Sequence, residues 1–177
     1  MIDTPRTTLR GWRDADIAPF DAMGRDPRVM AHFPALFRPG EAAAAVAGQQ
    51  ALQAITGYCF WAVERKRDLA FLGFCGVKPG PEETPIEGEL EIGWRLGRNH
   101  WGQGYASEAA EATLAWVWAN TPRRRVFAIT VPANERSRTL MTRIGMTHVE
   151  DGDFDHPALS LGHPLRRHVL YRIDRPS

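Results

Sequence analysis

The hydrophobic pattern is most regular over residues 87–96, where Leu90, Ile92, Trp94 and Leu96 alternate with Glu89, Glu91, Gly93 and Arg95. A period of two held that long predicts a strand with one core face and one polar face. Weaker alternation over 7–12 predicts an opening strand, and Arg13-Asp14 leading into Ala15, Ile17, Phe20 and Met23 predicts a capped helix that Asp26-Pro27 ends. The Ala- and Gln-rich run 41–54 is the best helix former in the chain despite Gly48. Residues 58–64 and 70–78, aromatic and glycine-containing, flank a charged turn at 65–68 and predict a hairpin, followed by a loop over 79–85. A long helix is expected from Gly102 to about Asn120, closed by Pro122, then a buried strand over 126–131 and a helix over 134–144 stopped by Gly145. After a loop over 151–164, residues 168–173 predict a closing strand. Strands and helices interleaved in this order predict a mixed α/β sheet, with no internal repeat.

Composition narrows what such a sheet does. With 177 residues, 44% of them hydrophobic, the expectation is a single domain, 1–177, around one sizeable core. Lys and Arg number 22 against 21 Asp and Glu, and a net charge of +1 supplies no broad field for nucleic acid or an anionic membrane. A small or peptidic substrate is expected instead. Cys59 and Cys75 fit no zinc or redox spacing and read as buried thiols of a reducing compartment. Asp3, Arg6 and Arg10 stand where a signal peptide needs an apolar run, and no 18 apolar residues occur together, so a soluble, cytoplasmic protein is expected. His156, His163 and His168 share no metal-ligand spacing, and no metal is expected.

The segment from Gly97 through Arg98, Asn99, His100, Trp101, Gly102, Gln103, Gly104 and Tyr105 to Ala106 leads from the regular strand into the long helix. Free backbone N–H groups at a helix start, with the positive end of its dipole, make an anion site that glycines open to close approach. The first acid of that helix is Glu108, leaving room for a ligand's negative charge. An isolated Gly-x-Gly also serves simply as a tight turn. The spacing is neither that of dinucleotide folds nor that of a P-loop.

In this context the chain resembles the GNAT superfamily of acyl-CoA-dependent N-acyltransferases, whose signature Gln/Arg-x-x-Gly-x-Gly/Ala is filled by Asn99-His100-Trp101-Gly102-Gln103-Gly104, with Asn99 departing at the first position. Glu91-Ile92-Gly93-Trp94, the run from Trp101 to Ala109, and Asn134-Glu135-Arg136-Ser137 with Ile144-Gly145-Met146 are similar to the branch containing the ribosomal-protein N-terminal acetyltransferases. The resemblance implies a mixed, mostly antiparallel sheet of six to seven strands flanked by four helices. It implies acetyl-CoA as co-substrate, with pantetheine on the backbone of Ile92, Gly93, Trp94 and Leu96 and near Asn134. The diphosphate falls to Asn99, Trp101, Gly102, Gln103, Gly104, Tyr105 and Ala106.

The same resemblance makes Glu91 the general base, with Glu89 the second candidate, and Ser137 the acid toward the thiolate, with Tyr171 or Tyr105 as alternatives. Each residue also has a structural reading. Glu89 and Glu91 would be a solvated strand face or pair with Arg95, Asn134 would be an N-cap, and Ser137 would sit on a helix surface. Gly93 would mark a bulge or close backbone approach, or only relieve packing beside Trp94. The acceptor is expected to be a primary amine, on a peptide N-terminus or a small molecule, attacking directly in a ternary complex. In this fold residues 23–37 shape the acceptor pocket, and His32, Phe33 and Phe37 make it apolar, which disfavours polycations. The competing class is a binding module that senses acyl-CoA without turnover. A homodimer is compatible with the apolar content.

Overall fold

The computed structural model describes residues 1–176. In chain order the strands and helices are β1 (Ile2–Asp3), β2 (Thr7–Arg10), α1 (Ile17–Gly24), α2 (Glu41–Thr56), β3 (Phe60–Arg65), β4 (Phe71–Pro79) and β5 (Leu90–Leu96). There follow α3 (Tyr105–Asn120), β6 (Arg125–Thr130), α4 (Glu135–Arg143), β7 (Thr147–His148), β8 (Phe154–Asp155) and β9 (Arg167–Asp174). The sheet runs β1-β2-β3-β4-β5-β6-β9-β7, with β8 on β9, and every pairing is antiparallel except β5 with β6. A parallel pair needs a crossover, and α3 supplies it.

The mixed α/β architecture with four helices is as expected, but the sheet has nine strands rather than six to seven. The additional β1, β7 and β8 are two residues each, too short to show any period. Two boundaries also differ. The strand expected from residue 87 begins at Leu90, because Glu87 and Glu89 donate their N–H groups into a turn, to the carbonyls of Thr84 and Ile86. The helix expected from Gly102 begins at Tyr105, because Gly102 and Gly104 have φ of 71° and 81°, left-handed values closed to a right-handed helix.

One sheet face packs under α3 and α4. There Trp61 meets Trp116 at 4.9 Å and the Cys75 thiol lies 3.6 Å from the Thr113 hydroxyl. The other face meets α1 through an aromatic cluster of Trp12, Phe20, Phe71 and Phe74. Arg10, almost fully buried, ties β2 to the start of α1 and to β3 through Asp16 at 2.7 Å and Glu64 at 2.7 Å. Among the described residues no helix is long and apolar enough to cross a membrane.

Candidate active site

Strand β5 pairs with β4 over its whole length, from Leu90 opposite Pro79 to Leu96 opposite Gly73. On its other side it pairs with β6 at one position, Glu91 opposite Phe127. Beyond that point a gap opens between the two strands. Glu89 C=O and Gly97 N–H bond to β4 and its approach, so by alternation the even-numbered residues Ile92, Trp94 and Leu96 turn their backbone groups toward β6. The Leu96 carbonyl accepts the Trp101 indole N–H at 2.8 Å. Those of Trp94 face the gap, as the splaying expected around residues 92–96 requires. The seven consecutive pairs with β4 show that Gly93 is not at a bulge. A Cβ there would stand 2.7 Å from the Phe60 ring, so this glycine makes room for Phe60, not for Trp94.

At the far end of β5 the chain makes a 3-10 turn over Arg98–His100 and enters α3 with Gly104 as N-cap and no side-chain cap. The first helical bond is from Glu108 N–H to the Gly104 carbonyl, which leaves the N–H groups of Tyr105, Ala106 and Ser107 free for an anion. Gln103 reaches back to the Asn99 carbonyl at 2.8 Å and fixes the turn. Asn99 itself lines, with His100, Met23 and Val29, a cavity of about 250 Å³ beneath α1.

Arg6 was not singled out from the sequence. Its guanidinium contacts the Gln103 carbonyl at 2.8 Å and Glu108 at 2.6 Å and lies over the Tyr105 ring at 4.7 Å. It braces the turn and neutralises the one acid in the first turn of α3, which would otherwise repel a phosphate. The Tyr105 hydroxyl lies beside Arg65 at the end of β3, away from the strand gap.

The face of β5 expected to be polar is a covered floor. Glu91 lies beside Lys78 in register, Gly93 beside Gly76 and Arg95 beside Phe74, so these side chains share one face. The Glu91 side chain is 12% exposed, with the Lys78 ammonium 3.4 Å from Oε2 but not in hydrogen-bond geometry. Burial pushes the Glu91 carboxyl above its ordinary range, against the opposing pull of Lys78. Neither glutamate pairs with Arg95. Glu89 precedes β5 and faces Arg125 at 3.5 Å and Arg123 at 3.9 Å.

On the opposite bank, Asn134 caps α4, its Oδ1 accepting the Ser137 N–H at 3.3 Å. One N–H of its Nδ2 donates to the Thr130 hydroxyl at 2.9 Å at the end of β6, which leaves the second for a ligand. Ser137 is half-buried in the first turn of α4. Tyr171 is buried on β9, stacked on His148, and its hydroxyl accepts from Arg138 Nε at 3.4 Å. Arg136, which the sequence offers only as a member of the Asn134–Ser137 motif, lies over the Trp101 ring at 4.4 Å beside the phosphate turn. No local pattern announces Arg6 or Arg136, because both reach their partners through tertiary contacts.

Compared with known proteins, the chain matches the family described as Acetyltransferase (GNAT) domain over residues 6–147. It is 34% identical over 144 residues to the uncharacterized protein YkkB of Bacillus subtilis, covering 81% of this chain and 83% of that one. A GNAT-family acetyltransferase from Bacillus anthracis superposes with a TM-score of 0.80 at 24% identity, covering 98% and 97% of the two chains. RimL, a ribosomal-protein alpha-N-acetyltransferase solved in complex with coenzyme A, superposes with a TM-score of 0.76 at 16% identity, covering 97% and 95%.

The burial of Glu91 has a consequence for stability. A folded-state pKa raised above the unfolded value means that the native protein binds this proton more tightly, so its contribution is lost as pH rises from the unfolded pKa through the folded one. At pH 7 the Glu91 carboxylate therefore weakens the fold, and Glu91→Gln is expected to raise the thermal midpoint at pH 7 and to lose that advantage near pH 4, as measured by calorimetry.

Proposed function

The chain belongs to the GNAT acetyltransferase family, and from that premise we propose that it transfers an acetyl group from acetyl-CoA to a primary amine, with Glu91 as the base. The observation that carries the reading is the position of Glu91. A buried carboxylate, made more basic by its surroundings, stands at the point where β5 and β6 part, and a half-buried serine and a buried tyrosine stand on the opposite bank.

The free N–H groups at the start of α3 suit the diphosphate, and the freed backbone of Trp94 suits the amides of pantetheine. Acetyl-CoA supplies the activated thioester. Glu91 takes the proton of the attacking amine, directly or through a water, and a raised pKa brings it nearer the operating pH than an ordinary carboxylate. Ser137 gives a proton to the departing thiolate. Tyr171 is the alternative donor, its hydroxyl held by Arg138 Nε. Both thiols are buried and pushed up to about 12, which leaves no thiolate for an acyl-enzyme and supports direct attack.

The motifs around Glu91 and Asn134 support the branch that acts on α-amino groups, and hence a peptide N-terminus or a small amino compound as acceptor. An acyl-CoA sensor has no need of a buried base. The chemistry therefore favours an enzyme over that alternative.

With acetyl-CoA and a panel of amines, Glu91→Gln is expected to lower kcat by about 10²- to 10⁴-fold while calorimetry shows CoA binding retained. Binding by the parent with no amine-stimulated CoA release would establish the sensor instead. Because Lys78 pulls the Glu91 carboxyl down, Lys78→Met should move the acid limb of the kcat/KM profile to higher pH. Gly104→Val, which forces a branched side chain into a left-handed φ and against Arg6, should weaken CoA binding at least about tenfold by calorimetry. Steady-state rates of Ser137→Ala and Tyr171→Phe assign the proton donor, with the larger fall in kcat expected for Ser137→Ala.

A further inference from the structure

The floor that holds Glu91 carries a second ionisable group, for which the reaction above has no use. Arg95 projects from the same face of β5, and its guanidinium lies 3.8 Å from the Phe33 ring centroid, 5.3 Å from Phe74 and 5.8 Å from Phe37. Nη1 donates to the Met30 thioether at 3.3 Å, and Nε is buried without a hydrogen bond. Among the described residues no carboxylate pairs with it. Arg10 in the same sheet shows the usual arrangement, a buried guanidinium held by two carboxylates. Burial alone draws the Arg95 pKa to about 10, so the group is a cation at pH 7. Ring faces and a thioether attract a cation, but they do not replace the water and counter-charge it has lost. A half-buried cation with a buried, unbonded Nε and no carboxylate partner is an environment that favours an anion.

We infer that Arg95 binds an anionic group of the acceptor, a carboxylate held roughly a tripeptide's length from the amine that Glu91 deprotonates. The inference rests on the acetyl-transfer reading for the position of that amine. Four residues at about 3.3 Å each set the Cα atoms of Glu91 and Arg95 some 13 Å apart along one face. Between them lies Gly93, with no side chain, beneath the Phe60 ring. That backbone separation is of the same order as the roughly 10 Å of an extended tripeptide. A phosphate of CoA shares the chemistry of a carboxylate. The acceptor is favoured because Arg95 lies on the face of Glu91, Phe74 and the α1–α2 segment, whereas α3, at whose start the phosphate site lies, packs on the opposite face.

The test compares triglycine with triglycine amide as acceptors for the parent, Arg95→Met and Arg95→Lys. The parent should favour the free carboxylate by about tenfold or more in kcat/KM, Arg95→Met should abolish the preference with the KM for acetyl-CoA unchanged, and Arg95→Lys should keep part of it. A binding readout does not depend on turnover. N-acetyltriglycine should raise the thermal midpoint of the CoA-loaded parent and of CoA-loaded Glu91→Gln, and not that of CoA-loaded Arg95→Met. A parent indifferent to the carboxylate in both readouts overturns the inference, as does a preference that survives in Arg95→Met. A loss of CoA affinity in Arg95→Met overturns it too, because the anion is then a phosphate of the cofactor. Loss of activity in Glu91→Gln with the midpoint shift retained leaves the Arg95 site standing and concerns the base alone.

Discussion

Strands β5 and β6 share one residue pair, and much of the geometry of the site follows from where that pairing stops. Backbone N–H and C=O groups of a central strand are obligatory hydrogen-bonding groups. On β5 they are met along the β4 edge without a break, so the strand stays straight and in register, while the β6 edge is left open beyond Glu91. The same strand runs on through the Arg98–His100 turn to the uncapped start of α3. Unused main-chain groups in the gap and at the helix start therefore lie on one continuous path, ending at the residue where the strands rejoin. That residue is Glu91.

The two faces of β5 handle charge differently. Leu90, Ile92 and Leu96 are buried on the face that packs under α3. On the opposite face Glu91 has only the offset ammonium of Lys78, and Arg95 has only aromatic rings and a thioether. Glu89, one residue before the strand, has its arginines at the surface. Burial, not sequence position, separates the two glutamates chemically.

What the sequence revealed depended on whether a signal was local. The alternation around Leu90, Ile92 and Leu96 marks a strand because the side-chain period is fixed by the backbone, and Gly102 and Gly104 mark the turn because few other residues tolerate its φ values. Alternation also puts Glu91 and Arg95 on one polar face, but leaves open whether that face is solvated or covered. Period two separates polar from apolar, not wet from dry, and the cover comes from Phe60 on β3 and from Phe33 and Phe37 beyond α1. Lys78 was read only as the end of a hairpin strand, since its place beside Glu91 is a matter of β4–β5 register. Asn134 is legible as a cap, but the bond from one of its two amide N–H groups to Thr130 is not. The three two-residue strands left no pattern at all.

The features attributed to function share a cost. A carboxylate raised by burial, a guanidinium without a counter-ion, a helix start without a cap and a strand edge without a partner each leave the fold less stable than a sequence free to repair them. Protein interiors tolerate few such defects, and a chance distribution would scatter them. Here all four lie on β5 or on the turn that leads out of it, while the ordinary ionic solution, Arg10 between Asp16 and Glu64, sits elsewhere in the same sheet. Glu91 and Arg95 have opposite charges, but some 13 Å of strand keeps them from satisfying each other. Direct contact would neutralise both charges, and the intervening Gly93, with the Phe60 ring over it, holds the proposed base and the proposed anion site apart.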